Sequence, residues 1–466
     1  MNPIELGSAQ TLLIIGLGRS GQASAEVLRA RGVTVYAVDE KPARDLLPAI
    51  QHLEILGASF VAPEQLPAVL TSIDAAILSP GVPLNSALVR SVQAADIPVL
   101  SEIEIAYRLS RAPILAVTGT KGKSTTTSLI AHLLRAGGLS ARVGGNIGNP
   151  LIAEVADGAF EQWVVAEVSS FQLEAIRSFH PRIAAILNIS PDHLDRYHSM
   201  EEYAEAKYRI FANQNEHDFF VGALDDARLA QLHWLKGEGR IRARQLWYTI
   251  GEHDARAAMY MRGDTITYAP ISGDPRPVPI MLREDIPLTG AHNLQNVMAA
   301  LLAAIAAGVN FAALREGVAS FSPMAHRLAA IAEIGGVLFV DDSKATNPAA
   351  AIAALRSFDR PIVLIAGGRS KNTDFVELGR VLDERVKLLI ALGESAEELA
   401  AQVSRTRVER AASMEEAVRI ARANARAGDV VLLSPACASF DMFDSAEHRG
   451  DRFANEVQAL AEFAAP

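Results

Sequence analysis

Two stretches of this chain place a glycine-rich turn between an apolar run and a helix-like segment. The first reads TLLIIGLGRSGQASAEVLRA from Thr11, and the second reads APILAVTGTKGKSTTTSLIAHLLRA from Ala112. A buried strand that turns into a helix returns to its sheet through a right-handed crossover, so both stretches predict parallel α/β architecture. The length of 466 residues is enough for about three domains of this kind.

Apolar strand-like runs, each followed by a polar loop, continue to the C-terminal region, where GVLFVDD, PIVLIAGG, VKLLIALG and GDVVLLSPA follow one another. This pattern predicts an α/β protein of three domains, each built on a largely parallel sheet. We expect a Rossmann-like N-terminal domain at 1–101, a P-loop ATPase-like central domain at 102–323 and a Rossmann-like C-terminal domain at 324–466.

Composition excludes several classes of partner. Lys and Arg total 44 against 54 Asp and Glu, a formal net charge of −10, which argues against nucleic acid and anionic membranes. The longest uncharged apolar run, Val297 to Val309, is too short to span a bilayer. Cys437 is the single cysteine, and the N-terminus does not resemble a signal peptide. We therefore expect a cytoplasmic protein, and we expect it to be a monomer.

The first glycine turn has the spacing of a dinucleotide fingerprint. Gly16, Gly18 and Gly21 form G-x-G-x-x-G between a strand and a helix, and Asp39 ends the next predicted strand. Three interpretations are open at this point: an NAD(P) or FAD site, a tight turn that binds no ligand, or a site for the diphosphate of another nucleotide.

The second glycine turn predicts a binding site for ATP. It reads GTKGKST, and Val117 stands where the common Walker A pattern has its first glycine, so the phosphate loop is a shortened one. Loop amides would hold phosphate oxygens, Lys123 would supply a fixed charge and Ser124 would coordinate Mg²⁺. The candidate residues are Gly119, Thr120, Lys121, Gly122, Lys123, Ser124 and Thr125.

Two further strand ends carry oxygen ligands of the kind that Mg²⁺ prefers. One apolar run ends at Glu167. The other ends at Asn188 and is followed by Asp192, His193 and Asp195. Because the carboxyl ends of parallel strands form the site of an α/β sheet, we expect these groups close to the phosphate loop.

Lys207 lies in the helix-like segment SMEEYAEAKYRIF and has no acidic residue three or four positions away. It therefore lacks the usual helical ion-pair partner. We expect its amine to reach toward a specific group or to extend along an apolar face to water.

Seven segments together resemble the Mur ligases over all three predicted domains. They read GTKGKST, GGNIG, EVSSFQLE, NISPDHLDRY, AHNLQN, DDSKATN and LLSPACASFDMF. The segments DSKATN and SPACASFD are most similar to the members that add D-glutamate. The resemblance implies that ATP activates UDP-N-acetylmuramoyl-L-alanine as an acyl phosphate. The amine of D-glutamate then attacks it, which is a step of peptidoglycan precursor synthesis.

The resemblance also implies roles for individual residues. Asn293, Asn296, Arg327 and Asp342 would join the phosphate loop in binding ATP, and Lys344 would stabilise the acyl phosphate. Two Mg²⁺ ions would be held by Ser124 with Glu167 and by His193 with a carbamylated Lys207. UDP-substrate would contact Gly16, Gly18, Arg19, Ser20, Gly21, Asp39, Gly81 and Asn146. D-Glutamate would contact Thr346, Lys371, Ser439 and Phe440.

Two departures and three alternatives accompany this hypothesis. The segment from Ala223 to Asp226 reads ALDD where the family has NADD. Ala446 stands where the family often has an aromatic residue at the amino-acid pocket. An NAD(P)-dependent oxidoreductase would use the Gly16–Gly21 turn but would leave GTKGKST unexplained. The remaining alternatives are a Mur-type ligase for another amino acid and a nucleotide-binding regulator without turnover.

Overall fold

The computed structural model describes residues 10–157, 162–192, 196–234, 240–252, 254–270, 276–288, 290–322, 325–358, 360–370 and 374–464. These residues divide into two compact units, the first formed by 1–287 with 293–321 and the second by 288–292 with 322–466. The first unit contains two sheets and the second contains one. The predicted α/β architecture with largely parallel sheets is confirmed.

The N-terminal sheet has, within the described ranges, five parallel strands in the order β3-β2-β1-β4-β5. They are β1 (Thr11–Ile15), β2 (Thr34–Val38), β3 (Ser59–Phe60), β4 (Ala75–Leu78) and β5 (Val99–Ser101). The helices are α1 (Arg19–Ala30), α2 (Leu47–Ile55), α3 (Leu66–Val69), α4 (Ala87–Ala94) and α5 (Glu102–Leu109). The strand order reverses between β1 and β4, so the turn after β1 opens at the switch point where such sheets bind ligands.

The central sheet has nine strands in the part of the chain that is described, in the order β14-β13-β12-β11-β10-β9-β6-β8-β7. They are β6 (Ile114–Thr118), β7 (Ala141–Gly145), β8 (Trp163–Glu167), β9 (Ile183–Ile186), β10 (Phe219–Ala223), β11 (Arg244–Tyr248), β12 (Ala257–Arg262), β13 (Thr265–Tyr268) and β14 (Val278–Leu282). Its helices are α6 (Lys123–Ala136), α7 (Leu151–Glu154), α8 (Ser170–Glu174), α9 (Met200–Tyr208), α10 (Ala227–Trp234), α11 (Ala291–Ala306) and α12 (Phe311–Ala319). Strands β6 to β12 pair in parallel, whereas β13 and β14 add an antiparallel end.

The sheet of the second unit has six strands among the described residues, in the order β15-β16-β20-β17-β18-β19. They are β15 (Ala329–Ile334), β16 (Val337–Asp341), β17 (Ile362–Gly367), β18 (Val386–Leu392), β19 (Arg407–Ala411) and β20 (Val430–Leu433). The helices are α13 (Pro348–Leu355), α14 (Val376–Arg385), α15 (Ala396–Ala400), α16 (Met414–Asn424) and α17 (Ala446–Ala464). Strand β15 is antiparallel to β16, and the other pairings are parallel.

Apolar side chains cover both faces of the sheet in the second unit, which explains the nearly continuous apolar strands in the sequence. One buried cluster includes Leu364, Leu378 and Leu432, and the other includes Ile365, Val418 and Phe453. None of the helices in the described ranges has the length and apolar character needed to cross a membrane.

Candidate active site

Three adjacent strands of the central sheet, β8, β6 and β9, bring the predicted groups to one edge. In the parallel register Val117 pairs with Glu167, and Thr118 pairs with Ile186. The residues that follow these positions are therefore neighbours, although they are far apart in the sequence. The phosphate loop, Glu167 and Asn188 consequently share the carboxyl edge of the sheet, as the sequence predicted.

Asn188 braces the phosphate loop. Its Oδ1 accepts hydrogen bonds from the backbone N–H groups of Thr120 (3.1 Å) and Lys121 (2.9 Å). Its Nδ2 donates to the carbonyl of Lys121 at 3.0 Å. Both ends of the side-chain amide are therefore occupied within the protein. Asn188 therefore holds the phosphate loop in place, and the Mg²⁺ ligation that the sequence suggested for it stays a prediction.

Helix α11 lies directly against the phosphate loop. Gly122 has a φ of +83°, and a Cβ at this position would clash with the side chain of Asn296. Glycine is therefore required here both for its backbone conformation and for the close approach. The Nδ2 of Asn296 donates to Oδ1 of Asn293 at 3.2 Å. The two asparagines expected on the adenine side thus lie together next to the loop.

Two lysine amines converge on the carbonyl oxygen of Gly119. Nζ of Lys123 donates to it at 2.9 Å and also to the carbonyl of Thr120 at 3.0 Å. Nζ of Lys207 donates to the same Gly119 oxygen at 3.0 Å. This convergence creates a cationic centre at the phosphate loop, which is suited to binding an anion.

Lys207 is only 1% exposed, so it does not extend to water. Burial lowers its pKa to about 7, the nearby charge of Lys123 acts in the same direction, and Asp192 opposes them. Its Nζ also lies 4.5 Å from the centre of the Tyr203 ring. The sequence-based expectation that this amine is directed at a specific group is consistent with these contacts.

The two carboxylate oxygens of Glu167 differ in their hydrogen bonding. Its Oε1 accepts a hydrogen bond from Nδ2 of Asn146 at 2.8 Å. Its Oε2 is buried and has no hydrogen-bond partner among the residues that the structure describes. A buried carboxylate oxygen without a donor fits a metal ligand, and Ser124 of the loop is also buried.

His193 and Asp195, two of the expected metal-site residues, lie outside the described residues. Within the described ranges there is no group of three or more His, Cys, Asp and Glu side chains arranged to hold a metal. The metal assignment of His193 therefore stays a prediction.

Asp39 fixes the N-terminal glycine turn. Its Oδ2 accepts from the backbone N–H of Leu17 at 2.7 Å, and its Oδ1 accepts from that of Lys41 at 2.9 Å. A Cβ at Gly21 would clash with the carbonyl of Gly16, so this glycine serves close packing of the turn. A Cβ at Gly18 would meet no atom within 4 Å, which leaves space for a ligand on that side.

The N-terminal turn is tied to the loop that carries Asn146. Nη2 of Arg19 donates to the carbonyl of Gly148 at 2.7 Å. Ser79, two residues before Gly81, donates through Oγ to the carbonyl of Gly16 at 2.7 Å. The carbonyl of Ser20 accepts from Ser24 inside α1. These contacts hold the N-terminal glycine turn next to the segments that carry Gly81 and Asn146, which are also expected to bind the UDP-substrate.

Arg196 forms a contact between two segments that was not evident from the sequence. Its guanidinium donates to Oε2 of Glu174 at 2.9 Å and to the carbonyl of Pro80 at 3.3 Å. The same group lies 3.8 Å from the centre of the Phe171 ring. Arg196 therefore joins the loop next to Gly81 to the central domain, through partners distant in sequence.

The second unit holds Arg327 in a strained segment. His326 and Leu328 on either side have φ values of +64° and +48°, which are rare for residues of this size. Asp342 accepts from the backbone N–H of Leu328 at 3.2 Å and from Oγ of Ser434 at 2.9 Å. Burial raises the pKa of Asp342 to about 7, and these hydrogen bonds and the Arg327 charge only partly offset it.

Two loops of the second unit carry Lys344, which is expected to stabilise the acyl phosphate, and three of the residues expected to bind D-glutamate. Lys344 and Thr346 follow β16, and their backbones are joined by a bond from Thr346 N to Lys344 O at 2.9 Å. Ser439 and Phe440 follow β20, the neighbour of β16 in the sheet. Ser439 is buried, whereas the Phe440 side chain is 63% exposed. Lys371 lies outside the described residues.

Arg449, which the sequence did not single out, joins these two loops. It is 1% exposed, and it donates through Nη2 to the carbonyl of Ser343 at 2.8 Å and through Nη1 to that of Cys437 at 3.2 Å. Burial lowers its pKa to about 10. Cys437 is itself a packed residue whose carbonyl serves this contact.

Family models match most of the chain. A Mur ligase MurD-like N-terminal domain matches residues 10–101, a Mur ligase middle domain matches 117–304, and a Mur ligase glutamate ligase domain matches 326–437. In solved structures, MurF from Acinetobacter baumannii aligns with a TM-score of 0.58 at 17% identity, covering 96% of this chain and 93% of that one. MurC from Thermotoga maritima aligns with a TM-score of 0.56 at 17% identity, covering 97% and 99%. These structural similarities concern the fold.

Curated relatives are similar over nearly their full length. The UDP-N-acetylmuramoylalanine–D-glutamate ligase of Pelotomaculum thermopropionicum is 43% identical, covering 96% of this chain and 97% of the relative. The enzyme of the same name from Koribacter versatilis is 40% identical, covering 97% and 98%. The chain belongs to the Mur ligase family.

Proposed function

We propose that this chain is an ATP-dependent ligase that joins D-glutamate to UDP-N-acetylmuramoyl-L-alanine. The observation that carries the proposal is the pair of amines of Lys123 and Lys207 on the Gly119 carbonyl of the phosphate loop. The names of the curated relatives described above support the identity of the two substrates that are joined. This assignment replaces the oxidoreductase alternative, because the Gly16–Gly21 turn belongs to a region matched by a Mur ligase domain.

The reaction starts with transfer of the γ-phosphoryl group. The carboxylate of the UDP-substrate attacks the γ-phosphorus of ATP, the bond to the β-phosphate oxygen breaks, and ADP leaves with those electrons. Lys123 would move from the carbonyls of Gly119 and Thr120 to the phosphate oxygens, where its charge offsets the charge of the transferred group. The brace from Asn188 keeps the loop amides in place during this exchange.

Amide formation follows on the acyl phosphate. The amine of D-glutamate attacks the acyl carbon, and the tetrahedral intermediate collapses with release of inorganic phosphate and a proton from the amine. Lys344 would stabilise the phosphate charge, while Thr346, Lys371, Ser439 and the backbone N–H of Phe440 would bind the two carboxylates of D-glutamate. The proposed domains at 1–101, 102–323 and 324–466 would bind the UDP-substrate, ATP and D-glutamate in that order.

The residues of the phosphate loop region fit Mg²⁺. Ser124 and Glu167 would hold one ion through oxygen, and the unpartnered Oε2 of Glu167 supports this assignment. His193 and Lys207 would hold a second. Mg²⁺ would supply positive charge to the phosphate oxygens when bound.

Lys207 fits carbamylation because a pKa of about 7 leaves much of its amine neutral, which is the form that reacts with CO₂. The amine nitrogen would bond to the carbon of CO₂, a proton would leave, and an anionic carbamate would result. That anion would replace the repulsion between Lys207 and Lys123 by attraction.

The test is an ADP-release screen with UDP-N-acetylmuramoyl-L-alanine, ATP, Mg²⁺ and one amino acid at a time. We expect ADP and phosphate release with D-glutamate and formation of the corresponding amide by mass spectrometry. Omission of either substrate is the control for background ATP hydrolysis. Preference for L-alanine, a diamino acid or L-glutamate would reject the D-glutamate assignment, and absence of ADP release with every amino acid would reject the ligase. We further propose a monomer acting in the cytoplasm.

A further inference from the structure

The first turn of α17 is hydrogen-bonded to the loop that carries Lys344. Oγ of Ser343 donates to the carbonyl of Ala446 at 2.7 Å. Arg449 donates to the same Ser343 through Nε to Oγ at 2.9 Å and through Nη2 to the carbonyl oxygen at 2.8 Å. The backbone N–H of Lys344 donates in turn to the carbonyl of His326 at 3.0 Å. The main chain at Lys344 is therefore fixed from two sides.

The side chain of Lys344 needs separate orientation, because four flexible carbon atoms lie between its backbone and its ammonium group. Nζ of Lys344 forms a hydrogen-bonded ion pair with Oε1 of Glu447, which lies in the first turn of α17. A carboxylate at this place also interacts favourably with the helix N-terminus. The hydrogen bond from Lys344 is the main reason that the pKa of Glu447 is lowered to about 2, so the carboxylate is charged at neutral pH.

Stability does not account for this pair. The Lys344 and Glu447 side chains are 30% and 52% exposed, and ion pairs with such exposure contribute little to folding. Holding an ammonium group in one direction instead lowers the ordering cost when a second anion arrives. An ammonium has three N–H donors, so Lys344 can keep Glu447 and still donate to a phosphate or carboxylate.

We propose that Glu447 is a positioning residue that orients the Lys344 ammonium group for the anionic part of the reaction. The kinetic effect of Glu447 rests on the proposed function, whereas the ion pair between Lys344 and Glu447 does not depend on that function. The first turn of α17 therefore acts in two ways. Arg449 and the Ala446 carbonyl fix the backbone of the loop at Ser343, and Glu447 orients the side chain of Lys344.

The test compares Glu447→Gln with Glu456→Gln in the full chain. Glu456 lies on the same helix and pairs with Arg452 at 3.2 Å, away from Lys344, so it is a matched control. We expect Glu447→Gln to lower kcat/KM for D-glutamate by roughly 3- to 10-fold, the range that corresponds to the cost of ordering one long side chain. The melting temperature and the KM for the UDP-substrate should stay at the wild-type values, as should all constants of Glu456→Gln.

A second measurement tests the Lys344–Glu447 ion pair without relying on enzyme turnover. Lys344 is labelled with trinitrobenzenesulfonate at low reagent concentration and quantified by peptide mass spectrometry, with Lys387 of the same unit, which pairs with Asp429, as internal standard. We expect Lys344 to label at least about 3-fold faster in Glu447→Gln, because without the ion pair the ammonium group spends more time in orientations that the reagent can reach.

Unchanged labelling would overturn the proposal, and so would faster labelling with unchanged kcat/KM, since the contact would then position nothing. Inactivity of the wild-type chain toward D-glutamate would instead reject the proposed function. In that case unchanged labelling still rejects the contact, and faster labelling retains Glu447 as the residue that orients Lys344.

Discussion

Replacing Glu102 by Gln should make the protein more stable at alkaline pH. Glu102 opens α5, and its side chain is 1% exposed. Burial raises its pKa from 4.5 to about 7, although the backbone N–H of Ile152 donates to Oε1 at 2.6 Å and Gln172 also donates to the carboxylate. The second oxygen, Oε2, has no hydrogen-bond partner within the described part of the chain.

The direction and size of the effect follow from this raised pKa. Between pH 4.5 and about 7 the unfolded chain loses the proton of Glu102 before the folded chain does, so stability falls as pH rises. Above pH 7 the raised pKa of Glu102 lowers the free energy of unfolding by about 3 kcal/mol relative to its value below pH 4.5. Glutamine keeps an acceptor for Ile152 and carries no charge, so the variant avoids this cost.

Scanning calorimetry of wild type and Glu102→Gln at pH 5, 6, 7 and 8 measures the difference. We expect nearly equal melting temperatures at pH 5 and a variant that melts about 5 °C higher at pH 8 for the transition of the first unit. Glu64→Gln, at an exposed position of the N-terminal domain, is the control. A difference between variant and wild type that is the same at pH 5 and pH 8 would refute the reasoning, because it would show that Glu102 does not titrate differently in the folded state.

Three further predictions concern the proposed reaction. Lys123→Ala should lower kcat by about 10²-fold or more, while calorimetric binding of the UDP-substrate persists, because the γ-phosphate loses its fixed cation; near-normal turnover would contradict the phosphate-loop role. Lys207→Ala should lose activity and regain part of it with added short-chain carboxylates, which replace the carbamate oxygens; a fully active variant would exclude a metal-side role. Thr346→Ala should raise the KM for D-glutamate several-fold more than that for ATP in steady-state assays, and equal changes would indicate a wrongly assigned pocket.

Features that depend on neighbouring residues were predictable from the sequence. The strand, glycine turn and helix around Gly16 and Gly119 each lie within about 30 residues, so the pattern alone locates them. The antiparallel strands at the ends of two sheets were not predicted, although their turns indicate them. Two-residue turns at Gly263–Asp264 and Gly335–Gly336 join β12 to β13 and β15 to β16, and such turns favour hairpins.

Contacts between distant segments were not predictable in this way. Asn188 meets Lys121 across 67 residues, and Arg449 meets Ser343 across 106. The partner of each of these side chains comes near it only after the sheet has formed. The sequence therefore indicated Asn188 as a strand-end polar residue but not its hydrogen bonds to the phosphate loop, and it did not indicate Arg449 or Glu447.

The strand order β8-β6-β9 also has a consequence for how the site forms in time. Ile114 of β6 pairs with Val164, and Leu115 pairs with Ile183, so the centre of the sheet is closed by partners 50 and 68 residues further along the chain. Long loops must close before such pairings contribute, which slows folding. At 5–20 residues per second, synthesis would leave β6 waiting roughly 3 to 14 s for β9. During that interval the side of β6 that later pairs with β9 would lack its partner strand, so an apolar strand edge would be open to non-native association.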